Sequence, residues 1–144
     1  MSDRQDPGAD ALTVGELMST EVICVEELST IQDALRMMIA KSIRHLPVCK
    51  DGRAIAVLSD RDLRLMITDM LDPKQRRRYF ETTGVMQHAS SPVITTRPQT
   101  SVVEVARMFV ESRIGCLPVV DADDKLVGIV TQTDLLKWIG RMAD

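Results

Sequence analysis

Two tetrapeptides, Ser59-Asp60-Arg61-Asp62 and Thr131-Gln132-Thr133-Asp134, place a side-chain hydroxyl three residues ahead of a carboxylate. A hydroxyl at the start of a helix sits beside unpaired backbone N–H groups and the positive end of the helix dipole, where phosphates bind. A carboxylate one turn later can accept two hydrogen bonds from a sugar diol. Phosphate and ribose recognition can therefore share one turn. The same spacing also makes a plain helix cap, in which hydroxyl and carboxylate satisfy each other's backbone amides. Arg44, His45 and Arg61 could bring positive charge to a phosphate at the first turn. Gly115, Cys116, Gln132 and Thr133 put neutral groups at the second. His45 begins a strand and by itself reads first as a structural or surface histidine, with Arg44 and Arg61 keeping the phosphate role open; His88 has no neighbour that gives it a role.

The elements that must position these turns are written twice. Residues 29–50 lie on 100–121 without a gap, sharing Arg36/Arg107, Met37/Met108, Ile43/Ile114 and "LPV" at 46–48 and 117–119. One extra residue in the next turn brings Ser59 onto Thr131 and Asp62 onto Asp134. Thr13 and Glu16 form a capping box for a short first helix, and strands are expected at 22–25 and 92–95. Thr30 and Ser101 are N-caps for helices whose buried faces would carry Ile31, Ala34, Leu35, Met38 and Ile39, and Val102, Val105, Ala106, Phe109 and Val110. Strands at 45–49 and 116–120 then lead through "KDGR", with its Asp-Gly hairpin signal, or "DADDK" into strands at 54–58 and 126–130. Each copy ends in a helix capped by Ser59 or Thr131.

Composition narrows the function classes. The 144 residues are 44% apolar but hold only one Trp, one Tyr and two Phe, too few for base-stacking platforms. With 18 basic and 21 acidic residues the net charge is −3, which argues against a general polyanion binder. The opening MSDRQDPGAD lacks the apolar core of a secretory signal, and no run reaches the roughly 18 apolar residues that span a bilayer, so a soluble, cytoplasmic protein without membrane contact is expected. Cys24, Cys49 and Cys116 sit in apolar strand patterns and read as buried small hydrophobes. No nucleophile–base, metal-ligand, P-loop or Rossmann pattern occurs, so neither catalytic nor metal residues are expected. The expected organisation is a flexible tail at 1–12, repeats at 13–70 and 82–140, and a helical linker at 71–81 started by Asp72 and Pro73 and rich in Lys74, Arg76, Arg77 and Arg78.

The element order, "LPV" ahead of a hairpin, and the hydroxyl-x-x-Asp signature at the last helix resemble the CBS domain; two copies in tandem resemble a Bateman module, and the likeness spans residues 13–139. The resemblance implies an α+β fold of two α-β-α-β-β-α repeats packed with pseudo-two-fold symmetry. It implies a non-enzymatic regulatory sensor that needs no cofactor and binds adenosine-containing ligands (AMP, ADP, ATP, S-adenosylmethionine or NAD) in clefts between the repeats. By that likeness Asp62 and Asp134 hold ribose, Ser59 and Thr131 lie near ribose or phosphate, and Ile23 and Ile94 present backbone to the base, with Arg44, His45 and Arg61 as further contacts. A glycine often found three residues before the hydroxyl is kept as Gly128 and replaced by Ala56. The family also implies a homodimer and an effector protein. Two other readings stand beside this one: a structural protein–protein interaction module whose turns are only caps, and a nucleic-acid binder through Arg76, Arg77 and Arg78.

Overall fold

A computed structural model describes residues 12–142. In chain order its elements are α1 (Val14–Leu17), β1 (Val25–Glu26), α2 (Ile31–Lys41), β2 (His45–Lys50), β3 (Arg53–Ser59), α3 (Asp60–Ile67), α4 (Pro73–Thr82), a 3₁₀ turn (Val85–Gln87), α5 (Val102–Ser112), β4 (Cys116–Val120), β5 (Leu126–Thr131) and α6 (Gln132–Met142). The fold is α+β, and both repeats share the order helix, strand, strand, helix from α2 to α3 and from α5 to α6. Of the tail expected at 1–12, residues 1–11 lie outside the described residues, and Leu12 packs on a core.

Local chemistry accounts for most boundaries. Thr30 Oγ1 accepts from the Asp33 amide at 3.2 Å while Asp33 Oδ2 accepts from Thr30 N at 3.0 Å, a closed capping box. Ser101 caps α5 through the Glu104 amide. Both helices end on a left-handed residue, Ser42 or Arg113, at equivalent positions. Asp51 and Gly52 both take positive φ, which closes β2 on β3 by a two-residue turn with Lys50 opposite Arg53. Asp72 accepts from the Lys74 amide at the head of α4.

The first strands are shorter and later than expected. β1 reaches β2 only at Val25, opposite Val48 in parallel, because Val22 is still at the surface. The stretch 92–95 makes no strand; a single parallel bridge joins Thr96 to Val119, and Pro92 has no amide to give a ladder. The helix faces also differ from the periodic expectation. Ile31, Ala34 and Met38 are buried but Ile39 is 71% exposed, and in α5 Val102, Val105 and Phe109 are buried while Val110 is 78% exposed. A helix that packs by one stripe covers i, i+3 and i+7, and the residue after the last of these turns outward.

The described residues divide into two compact units, one of Ile23–Val93 and one joining 12–22 to 94–142. These units differ in their boundaries from the sequence repeat because each repeat's first segment is hydrogen-bonded into the other. The amide of Val14 donates to Thr100 O at 2.8 Å, and the amide of Val85 donates to Ser29 O at 2.9 Å, the equivalent bond. Ser19 bridges Ile129, and Ser90 bridges Val57. Val14 and Val85 are fully buried, the first among Val105, Leu117 and Val130, the second among Ile31, Leu46 and Leu58. Gly128 admits this crossing: a Cβ there would stand 2.8 Å from Ser19 O and 2.7 Å from Met18 Sδ. At the matching crossing Ala56 faces a strap that carries Ala89 in place of Met18.

The exchange makes a testable difference between two fragments of similar length. A chain of residues 13–70 lacks Val85 and the Thr83 carbonyl that holds the Ile31 amide, whereas residues 23–93 contain both. Urea unfolding followed by circular dichroism should give a cooperative transition for 23–93 and none for 13–70.

Candidate functional site

Each hydroxyl-x-x-Asp turn joins the end of a hairpin to the last helix of its repeat. At the first, Ser59 Oγ accepts from Asp62 N and Asp62 Oδ2 accepts from Ser59 N, both at 3.1 Å. At the second, Asp134 Oδ2 accepts from Thr131 N at 2.8 Å and from Thr131 Oγ1 at 3.1 Å, and Thr131 Oγ1 accepts from Asp134 N at 3.3 Å. The next amide is taken in the same way in both copies: Asp60 N donates to Arg44 O at 2.8 Å and Gln132 N to Gly115 O at 3.1 Å. The cap expectation is thus met at both turns, and it uses only half of each carboxylate. Among the described residues Oδ1 of Asp62 and of Asp134 accepts no hydrogen bond, and the amides of Arg61 and Thr133, in the first helical turn, have no partner. An unused carboxylate oxygen beside an unused amide is an acceptor–donor pair suited to a hydroxyl and an anionic oxygen.

The residues around the first turn are brought together by strand pairing. His45 lies opposite Ser59 across the β2–β3 ladder, and Arg44 precedes it with its carbonyl on Asp60. Arg44 and Arg61 are exposed; Ser59, Asp62 and His45 are half-buried. Burial, then the Arg44 guanidinium, pull the His45 pKa below its ordinary value, against the opposing pull of the Asp62 and Asp60 carboxylates. His45 is therefore neutral at pH 7. At the second turn Cys116 takes the place of His45, opposite Thr131. Burial, with the Asp134 charge adding to it, pushes the Cys116 thiol up to about 12. Gln132 turns its side-chain amide onto Ile114 O. Ile23 is half-buried against the core of its unit, two residues before β1, while Ile94 is exposed, two residues before the Thr96 bridge. All first-copy residues fall in the unit 23–93 and all second-copy residues in the other.

Three partnerships were not legible in the sequence. Tyr79 Oη and His88 Nε2 are 2.6 Å apart with their rings edge to face, which gives His88 a partner nine residues away that no local pattern announces. Arg76, grouped with the basic run, turns back: its Nε and Nη2 donate to Met70 O at 3.2 and 2.6 Å, so only Arg77 and Arg78 of the three are exposed. Cys49 lies beside Cys24 and burial pushes its thiol up to about 12; Cys49 and Cys116 are buried as expected, and Cys24 only partly. No helix among the described residues is long and apolar enough to cross a membrane.

The family model described as CBS domain matches residues 14–69 and 85–141. The chain belongs to the CBS-domain family and is a tandem pair of its repeats. A CBS domain-containing protein of Dictyostelium discoideum is 33% identical over 129 residues, covering 85% of this chain and 88% of that protein. A homoserine O-acetyltransferase of Methanosalsum zhilinae is 32% identical over 90% of this chain, which spans only 24% of that enzyme's length, so the shared part is the CBS pair. Among solved structures, CBSX2 from Arabidopsis thaliana in complex with AMP has a TM-score of 0.75 at 29% identity, covering 92% of this chain and 99% of that one.

The depressed His45 pKa fixes a pH dependence. Folded His45 binds its proton less readily than the unfolded residue, so its contribution to stability is whole above the ordinary pKa of 6.5 and shrinks as the pH falls through that value. His45→Gln should therefore lose less stability than the parent between pH 7.5 and pH 5.5 in urea titrations; equal losses would show that His45 does not titrate in this way.

Proposed function

We propose that the protein is a non-enzymatic sensor that binds an adenosine-containing ligand at the Ser59/Asp62 and Thr131/Asp134 turns and reports occupancy to an effector protein. The observation that carries this reading is the half-used carboxylate: a cap needs one oxygen, and Asp62 and Asp134 each present a second beside an open amide. The AMP bound by CBSX2 supports the same chemistry. AMP, ADP, ATP, S-adenosylmethionine and NAD share the adenosine that these groups would grip, and the charges differ between the turns. Arg44 and Arg61 suit the first to a phosphorylated ligand, whereas Gly115, Gln132 and Thr133 suit the second to a nucleoside end.

Conservative substitutions separate ligand binding from capping. Asn keeps one oxygen for the cap and replaces the other with a donor, so Asp62→Asn and Asp134→Asn should each weaken AMP binding in calorimetry by about tenfold or more with the melting temperature nearly unchanged. Asp62→Ala and Asp134→Ala should also cost about 1 kcal/mol of stability through the lost cap. Saturating AMP at a hundred times its dissociation constant should raise the parent's melting temperature by about 5–10 °C. Unchanged affinity in both Asn variants would leave the turns as caps alone.

The expected homodimer is supported by the apolar side chains that each unit leaves at its surface, Ile39 and Leu65 in one and Val110, Leu136 and Ile139 in the other. Sedimentation velocity at micromolar concentration should show a dimer that Ile39→Asp or Val110→Asp shifts to monomer. A monomer in the parent overturns this part of the proposal.

A further inference from the structure

Helices α2 and α4 pack side by side in the unit 23–93 and leave a cleft of 320 Å³ between their outer faces. Pro73, Arg76, Arg77 and Phe80 reach it from α4 at the i, i+3, i+4, i+7 spacing of one helix face, and Leu35 and Arg36 reach it from α2. The lining therefore combines an apolar part, Leu35, Pro73 and Phe80, with three guanidinium groups and the Gln32 amide. No acidic residue among the described ones lines the cleft. Of the carboxylates adjacent in sequence to lining residues, Asp33 accepts from the Thr30 amide and also feels the Arg36 charge, Asp72 accepts from the Lys74 amide, and Glu81 makes no ion pair among the described residues. Arg36 and Arg77 form no ion pair among the described residues, and Arg76 is held in place by Met70 O through Nε and Nη2, which leaves its Nη1 uncommitted.

Guanidinium groups of this kind bind phosphate oxygens through paired, planar N–H donors, and the volume falls in the range of small-molecule pockets, about 300–1,000 Å³. We propose that the α2–α4 cleft is a second binding site, distinct from the Ser59/Asp62 and Thr131/Asp134 turns, for a small organic phosphate monoester. Its phosphate lies against Arg36 and Arg77, with Arg76 as a fixed third donor, and its apolar body lies on Leu35, Pro73 and Phe80. The adenosine reading is not needed for this site, since no diol-binding carboxylate takes part in it.

Phenyl phosphate is a suitable probe because it has the dianion and an apolar body but no ribose. Titrated into the ¹⁵N-labelled full chain, it should shift the amides of residues 32–36 and 73–80 and leave those of 59–62 and 131–134 in place. It should bind about tenfold more tightly than inorganic phosphate, which lacks the apolar body. Arg36→Gln and Arg77→Gln should each weaken it by about tenfold, and Asp62→Asn should not. Absence of shifts at millimolar phenyl phosphate, shifts centred on the two hydroxyl-x-x-Asp turns, or shifts indifferent to both arginine substitutions would overturn the proposal. So would binding of a short single-stranded oligonucleotide that depends on Arg77 while phenyl phosphate does not bind, since the surface would then be a nucleic-acid contact.

Discussion

The amides of Val14 and Val85 donate to carbonyls that immediately precede the N-caps Ser101 and Thr30, each in the other sequence repeat, and both valines are then wholly removed from water. A unit of about 60 residues hides only about 60% of the surface its unfolded chain exposes, so a missing valine and a missing strap are large losses at that size. The exchange means that neither stretch of repeated sequence contains its complete core. Each core therefore needs the strap that lies outside its own repeat, and the two hydroxyl-x-x-Asp turns inherit equivalent surroundings from that exchange. The straps at Ser19 and Ser90 cross β5 and β3 two residues before Thr131 and Ser59, so the segment that completes each core also borders each turn.

Within that shared frame the turns have diverged chemically while keeping the same backbone. The bond from the first helical amide to the carbonyl just before the hairpin's first strand is present in both, on Arg44 in one copy and Gly115 in the other. Side chains at the same ladder position are a half-buried, neutral imidazole and a buried, protonated thiol. Backbone geometry is set by capping and strand pairing, which tolerate either side chain; charge is set by the side chains themselves. One scaffold can therefore offer a charged and an uncharged version of the same contact.

The linker helix contributes in a different way. Its sequence reads as a run of positive charge, yet Arg76 is turned onto Met70 O and Tyr79 onto His88, so two of its polar side chains fasten the unit together. The remaining charge is divided between solvent and the cleft against α2, which Arg77 and Arg36 both line. Guanidinium groups that share a cleft lined by no carboxylate gain free energy when an anion joins them, and that is the physical basis of the binding proposed for the cleft.

Much of the fold was legible because its signals are local. The Thr30, Ser59, Ser101 and Thr131 caps, the Asp51-Gly52 hairpin, the Asp72-Pro73 helix start and the duplicated "LPV" strands depend on neighbours a few residues away, and each appears where the sequence puts it. Tertiary structure decided what depends on distant partners. It set which strap completes which core, turned Ile39 and Val110 outward from faces that periodicity had marked as buried, and shortened the first strands to the points where they meet β2 and β4. It also paired Tyr79 with His88, drew Arg76 onto Met70, and left one oxygen of Asp62 and of Asp134 outside the cap. Hydrogen bonds three residues apart are written in residue types; which surface a side chain meets depends on what the rest of the chain brings there.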